Sequence, residues 1–292
     1  MAKFDIYQDV TNQIVNAMEA GTPPWRKPWT GDSAGFVLPK RANGETYKGI
    51  NVLMLWMMAA ERGYTSETWF TYRQAKEAGG QVKKGEKSTT VIYYNTVKAE
   101  DEQGEEKTIP FAKAYRVFNA DQIDGLPAEF YQSPTEPRDL GTVADPELEV
   151  FFASIGAKIV TSDDPRAYFN PVDDLIHMPP IETFHSANGY YATLAHESVH
   201  FTGVEKRLGR YGKFSNKQAY AFEELVAEIG SCMLCAQLGL TPEFDQSAAY
   251  IEGWLTALKD DKRLIFKAAS AAQKATDYLL AADKAGEVED AA

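Results

Sequence analysis

The chain has 292 residues, 44% of them hydrophobic, and 30 Lys+Arg against 42 Asp+Glu give a net charge of −12. This is enough for two ordinary domains with real cores, and it excludes a disordered or low-complexity chain. The N-terminus lacks the basic start and apolar run of a signal peptide, and the best apolar run, INVLMLWMMAA at 50–60, is too short to span a bilayer; a cytoplasmic protein without a membrane partner is expected.

In chain order, Ile6, Val10, Ile14, Val15 and Met18 recur on one face of a helix that Gly21 stops. TPPWRKPW follows, and its three prolines make it an ordered, aromatic-rich loop. Asn43-Gly44 reads as a turn, INVLMLWMMAAERG as a helix ending at Gly63, and FTYRQAKEAGG as another ending at Gly79-Gly80. TTVIYYNTVKA and FAKAYRVFN, joined by the acidic DEQGEE, predict a β-hairpin that finishes a first domain over 1–125. A four-proline linker is expected over 126–146 and a second domain over 147–285. That domain reads as a helix, a strand, two short strands around Asn170-Pro171, the helix containing HESVH, a long helix from about 218 to 238 and two further helices, with a flexible tail at 286–292. The pattern predicts a two-domain α+β protein.

HESVH places His196 and His200 four residues apart, on one face of a helix, where both rings can reach one ion. Zn²⁺ accepts such imidazoles in tetrahedral sites, although another divalent transition metal is compatible with the same donors. Glu197, after the first ligand, has the position of a general base acting on water. The alternative is a pair of histidines on a surface helix. The helix FEELVAEIGS offers Glu223, Glu224 and Glu228 as further donors. Glu224 is expected as third ligand, Glu228 as the group that orients one imidazole, and Glu223 as a solvated acidic edge. Tyr168, in a strand that could align an extended peptide, is either a hydroxyl donor to a developing oxyanion or a tyrosine packed in the β-layer. His177 and His185 are expected to pack or face solvent, and Cys232 and Cys235, in an apolar run, to act as small hydrophobes.

The charge is unevenly spread. Residues 1–99 hold 13 Lys/Arg and 9 Asp/Glu, whereas the rest hold 17 and 33, so a polyanion is the natural partner of the first part. Basic and aromatic residues interleave there: Trp25, Arg26, Lys27 and Trp29; Lys40, Arg41, Tyr47, Lys48 and Asn51; Trp69, Arg73 and Gln74; Lys83, Lys84 and Lys87. Cations that neutralise phosphates beside rings that stack on bases suit single-stranded nucleic acid. No helix offers the outward Arg, Asn or Gln set that double-strand readout uses. The competing account is burial of the tryptophans in a core, Trp56 above all.

VTNQIVNAMEAGTPPWRKPW, ETYKGINVLMLW, SETWFTYRQAKEAGGQVKKGEKSTTVIYY and AYRVFNADQIDGL resemble the N-terminal domain of ArdC-type antirestriction proteins, a domain shared with TraC-type conjugative primases. DDLIHMP, YYATLAHESVHFTG, RLGR and EELVAEIGSCMLCAQLG are similar to the zincin-like metallopeptidase domain of the same family. The resemblance implies non-specific binding of single-stranded DNA, a gluzincin-type Zn²⁺ site and protection of incoming mobile-element DNA from restriction. It assigns His196 and His200 as ligands, Glu197 as base and Glu224 as third ligand, the last within an ExxA pattern, Glu224 to Ala227, that is similar to ImmA/IrrE peptidases. Ser198 departs from the larger apolar residue expected there. A protein or peptide substrate connected with restriction is implied if the site is catalytic. Two alternatives remain: a non-catalytic coat on single-stranded DNA with a structural metal, or a primase-associated DNA-binding protein.

Overall fold

The computed structural model describes residues 5–21, 23–25, 37–100, 106–131, 139–211, 217–242 and 248–290, with side chains left out at 95–100, 106–111, 217–218, 248–250 and 284–290. Helix α1, Ile6–Glu19, starts where Asp5 accepts the amides of Tyr7 and Gln8, and it buries Val10, Ile14, Val15 and Met18. Helix α2, Ile50–Arg62, ends at Gly63, whose left-handed φ of 68° releases the chain. Helix α3, Tyr72–Glu77, begins with a capping box between Thr71 and Gln74.

A four-stranded sheet accompanies these helices. Strands β1 (Lys40–Arg41) and β2 (Thr68–Phe70) pair in parallel, and β2 pairs antiparallel with β5 (Glu106–Asn119). Strand β4 (Thr89–Glu100) closes the long hairpin with β5, in a register that sets Tyr93 opposite Lys113 and Val91 opposite Tyr115. Two short strands, β3 (Gln81–Val82) and β6 (Ile123–Asp124), form a separate ribbon.

The expected linker is ordered at both described ends. Residues Ala128–Tyr131 form a 3₁₀ turn folded back on the first region, where the Tyr131 hydroxyl donates to the Ile123 carbonyl at 2.7 Å and Leu126 is buried. After residue 139, Gly141 accepts the Ala187 amide and Asp145 caps α4, Pro146–Ser154.

The second region contains a three-stranded sheet ordered β7-β9-β8, from Lys158–Thr161, Leu175–Met178 and Tyr168–Asn170. Four helices follow: α5 (Ala187–Phe201), α6 (Lys217–Leu238), α7 (Ala248–Asp260) and α8 (Leu264–Asp290). Helix α8 continues through 286–290, where a flexible tail was expected. It packs against α2, α4, α5, α6 and α7, so one hydrophobic core runs from Leu53 and Val91 through Ala195 and Leu225 to Trp254 and Ala272. A smaller core joins Phe70, Ala75, Ala120, Ile123 and Leu126. Both cysteines lie in the large core, and burial pushes the Cys235 thiol well above its usual range. No helix among the described residues is long and apolar enough to cross a membrane.

Candidate metal centre

Helix α5 begins with Ser186, whose hydroxyl accepts the Gly189 amide at 2.9 Å, and it buries Tyr191, Ala192, Ala195 and Val199 on its inner side. That orientation turns His196 and His200 toward α6, where Leu225, Val226 and Ile229 fill the core and Glu224 faces α5. The helices approach closely at Gly230, where a Cβ would stand 3.0 Å from both Val199 methyl groups.

The structure brings His196, His200 and Glu224 together, one ligand atom of each lying within 4.8 Å of the others. The Glu224 carboxylate stands 3.8 Å from His196 Nε2 and 3.6 Å from His200 Nε2. Donors bound at about 2.0–2.2 Å to one tetrahedral ion lie roughly 3.4 Å apart, so two imidazoles and a carboxylate at these separations fit a divalent metal. Burial would lower the His196 imidazole, but Glu224, Glu197 and Glu228 outweigh it and hold it up at about 9. Burial likewise opposes the charged form of Glu224, yet His196, His200 and the Tyr220 hydroxyl keep its carboxyl below the usual range.

Glu223 is not the solvated edge expected of it. It is 2% exposed, and its carboxylate accepts two hydrogen bonds from Arg210, at 2.8 and 2.7 Å. Its Oε1 also lies 3.2 Å from His200 Nδ1. Arg210 completes its fork on Thr202 Oγ1 and the Val199 carbonyl, both at 2.8 Å. Desolvation would raise the Glu223 carboxyl, but Arg210 and His200 together hold it low. Glu223 thus holds the His200 ring from its Nδ1 side and leaves Nε2 facing Glu224. Glu228 is buried and acts on His196 by charge, whereas the group at a described imidazole nitrogen away from the donors is Glu223. The second arginine of RLGR and a second glutamate beside Glu224 were the signals of this pair in the sequence.

Glu197 is buried beside the imidazoles, and Ser198 fits a tight position by donating to the Leu194 carbonyl at 2.7 Å. Tyr168 lies flat on His177, with ring centroids 5.0 Å apart. It is more than a third exposed, so the expectation of a buried tyrosine is corrected. His177 is held by Ser162 and the Arg166 carbonyl, and His185 is exposed. The phenol that feels the charges of Glu197, Glu223 and Glu224 is Tyr211, which stacks on Phe169 of β8.

The residues expected to meet DNA divide sharply. Trp25 is fully buried against Trp254 of α7, Trp69 is buried edge-on to Tyr64, and Tyr47 is buried beneath Arg41; none offers a face to a base. Burial pushes the Tyr47 phenol up to about 12. Asn51 holds both backbone groups of Ile92, and Gln74 closes the cap of α3, so both are spent on the fold. Lys40, Arg41, Lys48 and Arg73 reach the surface in ion pairs with Glu67, Glu45, Asp277 and Glu77. Lys83 donates to the Asp121 carbonyl, whereas Lys84 and Lys87 are exposed. Arg26, Lys27 and Trp29 lie outside the described residues. The exposed rings of this region are instead Tyr72, Tyr93, Tyr94 and Tyr115; Tyr93 and Tyr115 meet at 6.2 Å, with the Lys113 ammonium 5.2 Å from the Tyr115 ring centre.

Comparison with known proteins defines the class first: residues 146–271 match a family described as zincin-like metallopeptidase, and residues 4–118 match the N-terminal domain of anti-restriction factor ArdC. The antirestriction ArdC protein of plasmid R388 is 63% identical in its metal-free crystal structure, covering 96% of this chain and 98% of that one with a TM-score of 0.88. Its Mn(II)-bound crystal structure is 62% identical, with the same coverage and a TM-score of 0.84. Protein y4eC of Sinorhizobium fredii is 38% identical over 287 residues, 94% of this chain and 91% of that protein. DNA primase TraC of Escherichia coli is 36% identical over 299 residues, but these cover only 27% of its length against 96% of this chain. The chain belongs to the ArdC family of antirestriction proteins.

Proposed function

We propose that this protein binds single-stranded DNA through its N-terminal region, within residues 1–125, and carries a Zn²⁺-dependent peptidase site within 147–285. Together they would protect incoming mobile-element DNA from host restriction in the cytoplasm. The observation that carries the reading is the convergence of His196, His200 and Glu224, with His200 held from behind by Arg210 and Glu223. The Mn(II)-bound crystal structure of the R388 relative supports a divalent metal at such a site.

In this reading His196, His200 and Glu224 hold the ion, which when bound supplies Lewis acidity toward a peptide carbonyl and water. Glu197 takes a proton from the attacking water and passes it to the leaving amine. Tyr211 donates its hydroxyl to the carbonyl oxygen as charge develops there. Strand β8, at the edge of its sheet and packed through Phe169 on Phe201 and Tyr211, aligns an extended substrate by strand addition. On the DNA side, Tyr93, Tyr115 and Lys113 form the stacking cluster, and Arg73, Lys84 and Lys87 contact phosphates.

Metal analysis of the wild type against His196→Ala and Glu224→Ala tests the centre: about one Zn²⁺ per chain is expected only in the wild type, and a metal-free wild type would sink the site. Restriction assays with Glu197→Ala then test its use. Loss of protection with metal retained supports proteolysis, and full protection replaces it with a coating role for the DNA-binding region.

A further inference from the structure

A cavity of about 600 Å³ opens between the two regions, lined by Tyr7 of α1, residues 48–51 at the start of α2, Tyr94 of β4, Arg263 just before α8 and the outer side of α8 from Phe266 to Lys274. The size lies in the range of roughly 300–1,000 Å³ that holds small ligands. It is remote in character from the metal centre, sharing none of its residues.

Two chemistries meet in it. Phe266 stands edge-on to Tyr7 at 4.8 Å and to Tyr94 at 6.4 Å, giving an apolar, aromatic wall. Arg263, Lys267, Lys274 and Lys48 surround that wall with four cations. Lys48 is paired with Asp277 at 3.2 Å and Lys267 with Asp261 at 2.8 Å. Arg263 lies 5.0 Å from the Tyr7 ring centre, and among the described residues neither it nor Lys274 has a carboxylate within ion-pair distance. A chain of net charge −12 thus gathers four cations at one aromatic cavity, balanced among the described residues by Asp261 and Asp277 alone. Charges of one sign gathered around low-dielectric walls concentrate an anion of the opposite sign. The start of α2 adds its partial positive charge on the same side. Gln273 and Ser270, also in the lining, supply neutral polar contacts.

An apolar acyl ligand would leave the cations idle, and inorganic phosphate would leave the rings idle. A flat heteroaromatic base carrying a phosphate uses both, through stacking and charge-assisted hydrogen bonds. We propose that this cavity binds one phosphorylated nucleoside, with its base against the Tyr7, Tyr94 and Phe266 rings and its phosphate among Arg263, Lys267 and Lys274. The ligand is either a free nucleotide or the 5′-phosphorylated end of a DNA strand. The second source rests on the strand-binding reading above; the first does not.

Calorimetric titration of the full-length protein with dAMP, deoxyadenosine and inorganic phosphate tests the assignment. Saturable dAMP binding is expected, with either fragment weaker by at least roughly tenfold. Arg263→Ala with Lys274→Ala should weaken dAMP by about tenfold or more, and Tyr94→Ala should do so separately, each with an unchanged circular dichroism spectrum. Lys158→Ala, an exposed residue of β7 outside the cavity, should leave dAMP binding as it is. A second arm compares 5′-phosphorylated with 5′-hydroxyl oligo-dT. A preference for the phosphorylated strand that vanishes in the Arg263/Lys274 double variant identifies the strand end, and no preference beside intact dAMP binding identifies the free nucleotide. Absence of dAMP binding at millimolar concentration, or binding indifferent to both sets of substitutions, overturns the proposal. Strand affinity that persists in that case leaves the DNA-binding reading standing.

Discussion

The C-terminal region takes ionisable side chains out of water and partners them, whereas the N-terminal region takes aromatic side chains out of reach and leaves its charges outside. Glu197, His200, Glu223 and Glu228 are all buried between α5 and α6, and the Arg210 fork sits over one of them. Across the molecule Trp25, Tyr47 and Trp69 are buried, while Arg41 and Arg73 lie in exposed pairs with the glutamates four residues on. A buried charge is costly unless its surroundings are arranged for it, so its presence marks a built site. A buried ring costs nothing comparable and marks only a core. The same composition therefore carries different information in the two regions.

The sharpest way to break this comparison is to cut a ring out of the N-terminal core. Trp69→Ala is expected to lower stability by about 4 kcal/mol in urea unfolding, the scale of a large aromatic removed from a packed site. A stable variant with weakened DNA binding would return Trp69 to the surface role. Next comes Arg210→Ala, which strands Glu223 and should cost about 3 kcal/mol. Metal affinity should fall about 10- to 100-fold, read by competition with a chelator, because His200 loses its orienting group. Retained affinity would mean the carboxylate alone suffices.

A smaller effect tests a charge between these extremes. Hydrogen bonding to Arg207 and Lys206 holds the Asp174 carboxyl at about 2, against 3.8 ordinarily. A depressed carboxyl adds stability that is complete above the unfolded value and is lost as pH falls from about 4 toward 2. With partial exposure discounted, the contribution is about 1–2 kcal/mol. Asp174 has a φ of 51°, which asparagine tolerates, so Asp174→Asn isolates the charge and should flatten the acid limb of the stability profile. The smallest change is expected from Arg73→Ala, whose exposed pair with Glu77 should leave the urea midpoint unchanged. If Arg73 meets a phosphate, the slope of log affinity against log salt for single-stranded DNA should fall by about one unit; an unchanged slope removes it from the interface.

The same contrasts decide which features are legible in the sequence. The long helices were visible because Ile6 to Met18 and Leu225 to Ile229 place apolar residues at a helical period, and glycines such as Gly63 end them. HESVH was legible because both histidines lie within one helix turn. Glu223 was not, because its partner Arg210 stands 13 residues earlier in a polar loop and nothing local distinguishes a buried glutamate from an exposed neighbour. Strands β1, β3 and β6 have two residues each, too few for alternation to show. The interleaved rings and cations of residues 25–74 read identically whether the rings point in or out. Only packing decides that, and it turned Trp25 toward Trp254, more than two hundred residues away.

Helix α8 has one more implication. It faces the cationic cavity on one side and lies on α6, the helix of Glu224, on the other, with Thr276 donating to the Gly230 carbonyl of α6 at 3.2 Å and α2 packed alongside. Two segments that match separate families are thereby welded through shared core, and a break between them would expose apolar surface on each. Heating should melt the whole chain in a single calorimetric transition, and a fragment ending at residue 271, where the metallopeptidase match stops, should precipitate rather than fold. What looks like two modules in sequence would then behave in solution as one cooperative body.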